Sequence, residues 1–356
     1  MKIKTRDLKD AITRAVKGAS FNSTVPLTSL MGIELKDSRI SFTTTDITNY
    51  ISIFTECLND ATDDFNVTVD ASTLSKLVLK LTLEETKIKI ENGNLVIACD
   101  GTYKLPIICD ENGQVIIKKP GIRQSENMES VRLSSVMSAY NVNRTSIAKS
   151  NLMPSITGYY CDENGIITTD ATIITKNDSV LIKKPVMISP QMMSLLTLNT
   201  QENIPFTYAN NALQFVTDDC IITGPALLGI EDFPINEING YFSNVSEHYC
   251  IVNKNVLLAS LDRLSLFVEP YDRNEIKLSF GNNLTISSKK SSSVESISYL
   301  ESTGDKYDCA VGITYLTTLL QSARGDNVKI CYGNDNALII ESENVTQVLA
   351  LMTSEE

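Results

Sequence analysis

Apolar and polar positions along this chain follow two rhythms. Alternation around an Asn- or Gly-rich turn predicts β-hairpins over 32–42, 87–97, 158–168, 205–215, 276–286 and 328–340. Helical spacing predicts amphipathic helices over 7–19, 131–140 and 253–264, and again over 70–80, 189–198 and 312–324. In the first helix Leu8, Ala11, Ile12, Ala15, Val16 and Ala19 share one face, with Arg6, Thr13 and Lys17 opposite. In the 70–80 helix Leu74, Leu77, Val78 and Leu81 form the stripe, and Lys76 and Lys80 project away from it.

These elements recur. Val69-Asp-Ala-Ser-Thr-Leu74, Ile188-Ser-Pro-Gln-Met-Met193 and Val311-Gly-Ile-Thr-Tyr-Leu316 read alike, at spacings of 119 and 123 residues, and each leads into a hairpin. The expected architecture is α+β, with three similar domains over 1–120, 121–245 and 246–356, each placing two helices on antiparallel sheets. The breaks fall in Lys- and Pro-containing 118–128 and near 240–248.

Charge first argues against nucleic acid: 31 Lys plus Arg face 43 Asp plus Glu in 356 residues, a net −12. Partition changes that picture. The six helical segments with their adjoining loops carry +9 and the remainder −21. Either the helices form a basic surface within an acidic shell, or Lys and Arg simply serve as good helix formers on solvated faces.

Little catalytic chemistry is available. The one histidine, His248, lies in an inter-domain stretch, so no His-based triad or His cluster can form. No Gly-rich phosphate loop occurs. Asp60, Asp63 and Asp64 lack the Gly and Glu of a calcium loop and read as a solvated turn. Asp46, Asp170 and the Asp218-Asp219 pair stand at strand ends, where Asp bonds its own backbone. Eight cysteines, most in apolar runs and none in Cys-x-x-Cys, suggest buried free thiols in a reducing, cytoplasmic setting. No secretion signal or membrane span is apparent, and no enzyme activity, metal or cofactor is expected.

Several stretches carry a likeness: Met1-Lys-Ile with the first helix, Thr24-Val-Pro26-Leu, Asp37-Ser-Arg-Ile-Ser-Phe-Thr-Thr-Thr-Asp46, Pro154-Ser-Ile-Thr-Gly158, Thr169-Asp170, Gly229-Ile-Glu-Asp-Phe233-Pro234 and Tyr315-Leu-Thr-Thr-Leu. By their order, spacing and triple repeat the chain resembles the bacterial DNA polymerase III beta subunit, the DNA sliding clamp, over essentially its whole length. The resemblance implies the ring-forming DNA clamp fold: a head-to-tail homodimer around double-stranded DNA, sequence-independent, that tethers a replicative DNA polymerase and is opened by a clamp loader. It is a processivity factor and not an enzyme. A clamp-like interaction scaffold that does not encircle DNA is the alternative.

Helix phase and that resemblance give DNA-facing roles to Arg6, Lys17, Lys76, Lys80, Arg132, Arg144, Lys149, Lys254, Arg263 and Arg324, with Asn22 where the family often carries a basic residue. The family's apolar pocket for partner peptides maps onto Ile156, Thr169, Ala171, Thr172, Ile173, Ile174, Pro234, Ile238, Gly312, Tyr315, Ala337, Val348, Leu349, Ala350, Leu351 and Met352. Ordinary core packing is the competing reading for the aliphatic members.

The chain departs from the family at that pocket. The small residue, His, Arg and Leu usual after Thr-Asp are here Ala171, Thr172, Ile173 and Ile174, and the terminal Met-Pro-Met/Val-Arg is Ala350-Leu351-Met352-Thr353. Lost donors imply a more apolar pocket with its own peptide preference. The chain reads as a divergent member, of a bacteriophage or other mobile element, working in the bacterial nucleoid or an infected host's cytoplasm.

Overall fold

The computed structural model describes the chain except residues 59–63, 123–128, 151, 269–273, 289–291, 335 and 353–356. Asp60 and Asp63 of the acidic cluster lie outside the described residues, as does much of the 118–128 break. The described residues are α+β, with antiparallel sheets and seven helices. They group into two compact units: Met1–Val136 with Gln191–Ala226, and Met137–Pro190 with Leu227–Glu356.

The first unit contains an eight-stranded sheet. Its spatial order is Phe65–Asp70, Leu30–Lys36, Arg39–Thr45, Tyr50–Glu56, Cys220–Pro225, Ala212–Val216, Asn203–Ala209, Glu129–Arg132. A four-stranded sheet runs Lys2–Lys4, Glu85–Glu91, Asn94–Ala98, Thr102–Pro106. Helix α1 (Thr5–Ala15) buries Leu8, Ala11, Ile12 and Ala15 against the strand Tyr50–Glu56 and against α2 (Ala71–Leu79). Asp7 in its first turn and Arg14 in its last complement the helix dipole. The chain then passes through Gly18, where a Cβ would stand 2.4 Å from Ile51 Cγ2, so only glycine permits this approach. Asp70 caps α2 by accepting from the Thr73 amide.

The second unit is built the same way. Its nine-stranded sheet runs Val186–Ile188, Tyr159–Asp162, Gly165–Thr169, Ile173–Asn177, Val345–Ala350, Ala337–Ser342, Asn327–Cys331, Tyr249–Asn253, Glu301–Thr303. Its four-stranded sheet runs Val294–Ile297, Leu284–Ser288, Glu275–Phe280, Tyr307–Gly312. Helix α3 (Leu133–Asn143) spans the division of the chain, and α4 (Pro190–Leu196) begins at it. Helix α5 (Ile235–Ser243) is one the hydrophobic pattern did not predict. Asn253 caps α6 (Lys254–Ser265) through the Val256 amide, repeating the cap on α2. Helix α6 packs on α7 (Ile313–Ser322).

One turn recurs between the units. Thr45 Oγ1 donates to Asn49 O and accepts from the Ile47 amide, while the Asp46 carboxylate accepts from the amides of Thr48 and Asn49. At the corresponding place Thr169 Oγ1 donates to Ile173 O and accepts from the Ala171 amide, and Asp170 accepts from Thr172 and Ile173. Both turns hold a non-glycine residue at positive φ: Ile47 at 84° and Ala171 at 75°. Asp46 and Asp170 thus bond their own backbone, as residues of this type at strand ends should.

The strand orders are offset along the chain. Each large sheet joins two groups of strands far apart in the chain: Tyr50–Glu56 pairs with Cys220–Pro225, and Ile173–Asn177 with Val345–Ala350. The two four-stranded sheets are the halves left over. Their remaining outer edges, on Thr102–Pro106 and Val294–Ile297, pair with no strand among the described residues. At their opposite edges, Leu58 donates to Lys2 O and Met352 to Ala310 O.

All eight cysteines are free thiols, with Cys161, Cys220, Cys250 and Cys331 buried and Cys109 exposed. No described helix is long and apolar enough to cross a membrane.

Candidate functional site

Where Ile173–Asn177 joins Val345–Ala350, the second unit carries a hollow of about 170 Å³. That is room for one large side chain, since a cavity near 150 Å³ accepts benzene. Ile174 and Val348 supply its sheet floor together with Ala337 and Ala350, Ile156 comes from a 3-10 turn, Ile238 comes from α5, and Pro234 precedes that helix as its N-cap. Thr169, Ala171 and Thr172 form the rim. Beneath it lies an apolar cluster with Tyr160 stacked on Phe233 at 4.5 Å.

Three lining residues escaped the sequence reading: Met153, Glu237 and Tyr241. Glu237 and Tyr241 follow from Pro234 and Ile238 by helical spacing once α5 is known. Without that helix there was no phase to read.

Other expected members are elsewhere. Ile173 and Leu349 are core residues beneath the opposite face of the sheet, because neighbours on a strand alternate faces and Ile174 and Val348 already face the hollow. Gly312 is the N-cap of α7 and pairs with Glu275 in the four-stranded sheet. Tyr315 stands half-exposed on α7, whose Leu316, Leu319 and Leu320 enter the core. Leu351 packs on that same core, and the Met352 amide donates to Ala310 O.

The expected DNA-facing cations divide into two kinds. Arg6, Lys17, Lys76, Lys80, Arg132 and Lys149 are exposed and form no ion pair among the described residues, and Asn22 is an exposed loop residue. The other four are held by the protein. Arg144 lies over the Tyr140 ring at 5.2 Å. Lys254 Nζ donates to Ala323 O at 2.8 Å. Arg263 grips Glu295 with Nε at 2.6 Å and Nη2 at 2.7 Å, and these bonds hold the Glu295 carboxyl below the ordinary range. Arg324 donates through Nη2 to Ser138, which in turn accepts from Asn177 Nδ2. Their charges are present but their geometry is committed.

Arg14 was not singled out by the sequence reading. Its side chain is 12 % exposed and reaches Asp219 at 2.8 Å and Leu198 O at 3.0 Å. Burial pushes the Asp219 carboxyl up, but the bond and charge of Arg14, with the hydroxyls of Thr200 and Thr217, outweigh it and hold the group below its usual range. No cluster of His, Cys, Asp and Glu among the described residues could hold a metal ion.

Solved structures with this architecture cover nearly the whole chain. The DNA polymerase sliding clamp of Pseudomonas aeruginosa superposes with a TM-score of 0.86 at 15% identity, over 99% of both chains. The DNA polymerase III beta subunit of Thermotoga maritima gives 0.87 at 15%, over 99% of both. The sliding clamp of Bacillus subtilis gives 0.83 at 18%, over 99% of this chain and 98% of that one. The chain therefore has the DNA sliding-clamp fold. No curated protein matches it in sequence. Residues 1–112 match the family model described as DNA polymerase III beta subunit, N-terminal domain, so the resemblance read from the sequence is borne out.

Proposed function

We propose that the protein is a DNA sliding clamp of the polymerase III beta type, a non-catalytic processivity factor. Two copies join head to tail into a ring around duplex DNA, and the hollow beside α5 holds a peptide of a replicative polymerase or of the clamp loader. The repeats that build it are 1–120, 121–245 and 246–356, and its setting is the bacterial nucleoid or a phage-infected cytoplasm.

The offset of the strand orders carries this reading. Every internal junction joins the strands that begin one repeat to those that end the next, and the half-sheets at the two ends are each other's missing partner. Joining Val294–Ile297 of one copy to Thr102–Pro106 of another continues the pattern, and a second such joint closes the pair. Exposed apolar side chains support it: Leu79, Leu83 and Tyr103 belong to the first half-sheet and its helix, Val294, Leu266 and Phe267 to the other. The six exposed cations, which form no ion pair among the described residues, suit contacts to phosphates that are weak enough to slide.

The test is solution mass together with retention on DNA. A dimer that stays on closed circular DNA and runs off once the circle is cut is the expected result. A dimer or monomer released equally from both would support the non-encircling scaffold instead.

A further inference from the structure

We propose that the hollow selects an aliphatic or aromatic peptide anchor flanked by lysine or arginine, with Glu237 as the residue that reads the flank. This rests on the reading of the hollow as the partner-peptide pocket. Its walls are apolar, so direction and selectivity depend on the few polar groups that remain available.

Most of the rim is already spent. Thr169 Oγ1 bonds Ile173 O at 2.8 Å and accepts the Ala171 amide at 3.0 Å, and the Asp170 carboxylate takes the amides of Thr172 and Ile173 at 2.9 Å each. The turn that would present donors to a ligand is closed on itself.

The other polar groups of the lining are the Glu237 carboxylate, which only accepts, and the hydroxyls of Thr172 and Tyr241, which donate or accept. Glu237 is exposed and forms no ion pair among the described residues, and Tyr241 stands one helical turn further along the same side of α5. Among the described residues, no Lys, Arg, His, Asn or Gln lines the hollow. Lys176, two residues beyond Ile174 on the same strand, is folded over the Phe242 ring at 5.4 Å and does not line it. The segment 227–247, which supplies the α5 wall, contains Glu231, Asp232, Glu237 and Glu247 and no Lys or Arg. A peptide carboxylate beside its anchor would meet Glu237 and no cation among the described lining residues, whereas a cation would be drawn to Glu237.

Fluorescence polarisation on the full chain tests this with three labelled, N-acetylated peptides that share a Leu-Ala-Leu-Phe core and carry Lys, Gln or Glu on both sides. Binding should fall in the order Lys, Gln, Glu, spanning about tenfold at low salt and narrowing as salt rises. Glu237→Lys should invert the order and Glu237→Gln flatten it. Ile174→Arg, which fills the hollow, should abolish binding of all three. An equal or opposite ranking in the unmodified protein, or a ranking that Glu237→Lys leaves alone, overturns charge selection while Ile174→Arg still validates the pocket. Binding of no peptide, or binding indifferent to Ile174→Arg, overturns the pocket reading and the selection with it.

Discussion

Replacing Leu266 by Asp should split the ring into folded monomers. Leu266 follows α6 and is 80 % exposed, and Phe267 beside it is 50 % exposed. Arg263, one turn earlier, grips Glu295 on the edge strand Val294–Ile297, so this apolar pair lies beside the edge proposed as the joint. Full burial of a leucine side chain is worth about 1.5–3 kcal/mol, so docking Leu266 recovers about 2 kcal/mol. An aspartate there forfeits that and adds a desolvation cost of about 1–3 kcal/mol. A closed head-to-tail pair contains the joint twice. The loss is therefore about 6–10 kcal/mol per ring, at least on the order of 10,000-fold in the dimer dissociation constant. Sedimentation velocity from nanomolar to micromolar protein reads this directly, with circular dichroism confirming the fold. Leu152→Asp is the control, because Leu152 is 91 % exposed but lies on neither open edge. A Leu266→Asp protein that stays dimeric at the concentrations where the unmodified chain does would refute the assignment of the joint.

Charge reversal at Lys17, Lys76 and Lys80 together should leave mass and fold unchanged, reduce retention on circular DNA, and flatten the salt dependence by about 0.9 log units per lost phosphate contact. Arg263→Gln should affect DNA retention far less, since that guanidinium is already committed to Glu295. Arg14→Met should cost about 3 kcal/mol in urea unfolding, because it leaves Asp219 half-buried without its cation. The Asp219 carboxyl has a folded pKa below its unfolded value, so its contribution is complete above about pH 4 and is lost as pH falls through the folded value. Asp219→Asn should accordingly flatten the acid limb of the stability profile. In native protein a thiol reagent should label Cys109 quickly and leave Cys220 and Cys331 alone, since burial removes access and pushes their thiols up to about 12 and about 11.

The hairpins and six of the helices were legible because each has a period that one sequence displays. Leu8, Ala11, Ile12 and Ala15 declare α1 without any partner. Helix α5 was not legible: Asn236, Asn239 and Gly240 are poor helix formers, and packing of Ile238 into the cluster with Phe233 overrides them. Losing α5 meant losing Glu237 and Tyr241. Ile173 and Leu349 came from likeness, and of the two readings open for them the structure places them in the core, since the two-residue period turns them away from the face of Ile174 and Val348. Gly312 and Tyr315 rested on likeness alone. The junction between Tyr50–Glu56 and Cys220–Pro225 unites segments far apart in the chain, and no local pattern announces such a pairing.

A molecule whose strand order is offset by half a repeat has no intrinsic last subunit. Its two open edges would accept further copies indefinitely, and whether they meet depends on the bend contributed by each repeat. In the proposed ring each copy's two edges meet those of the other; a substitution that keeps two copies from closing would leave edges open to further copies and yield larger rings or an open helical filament.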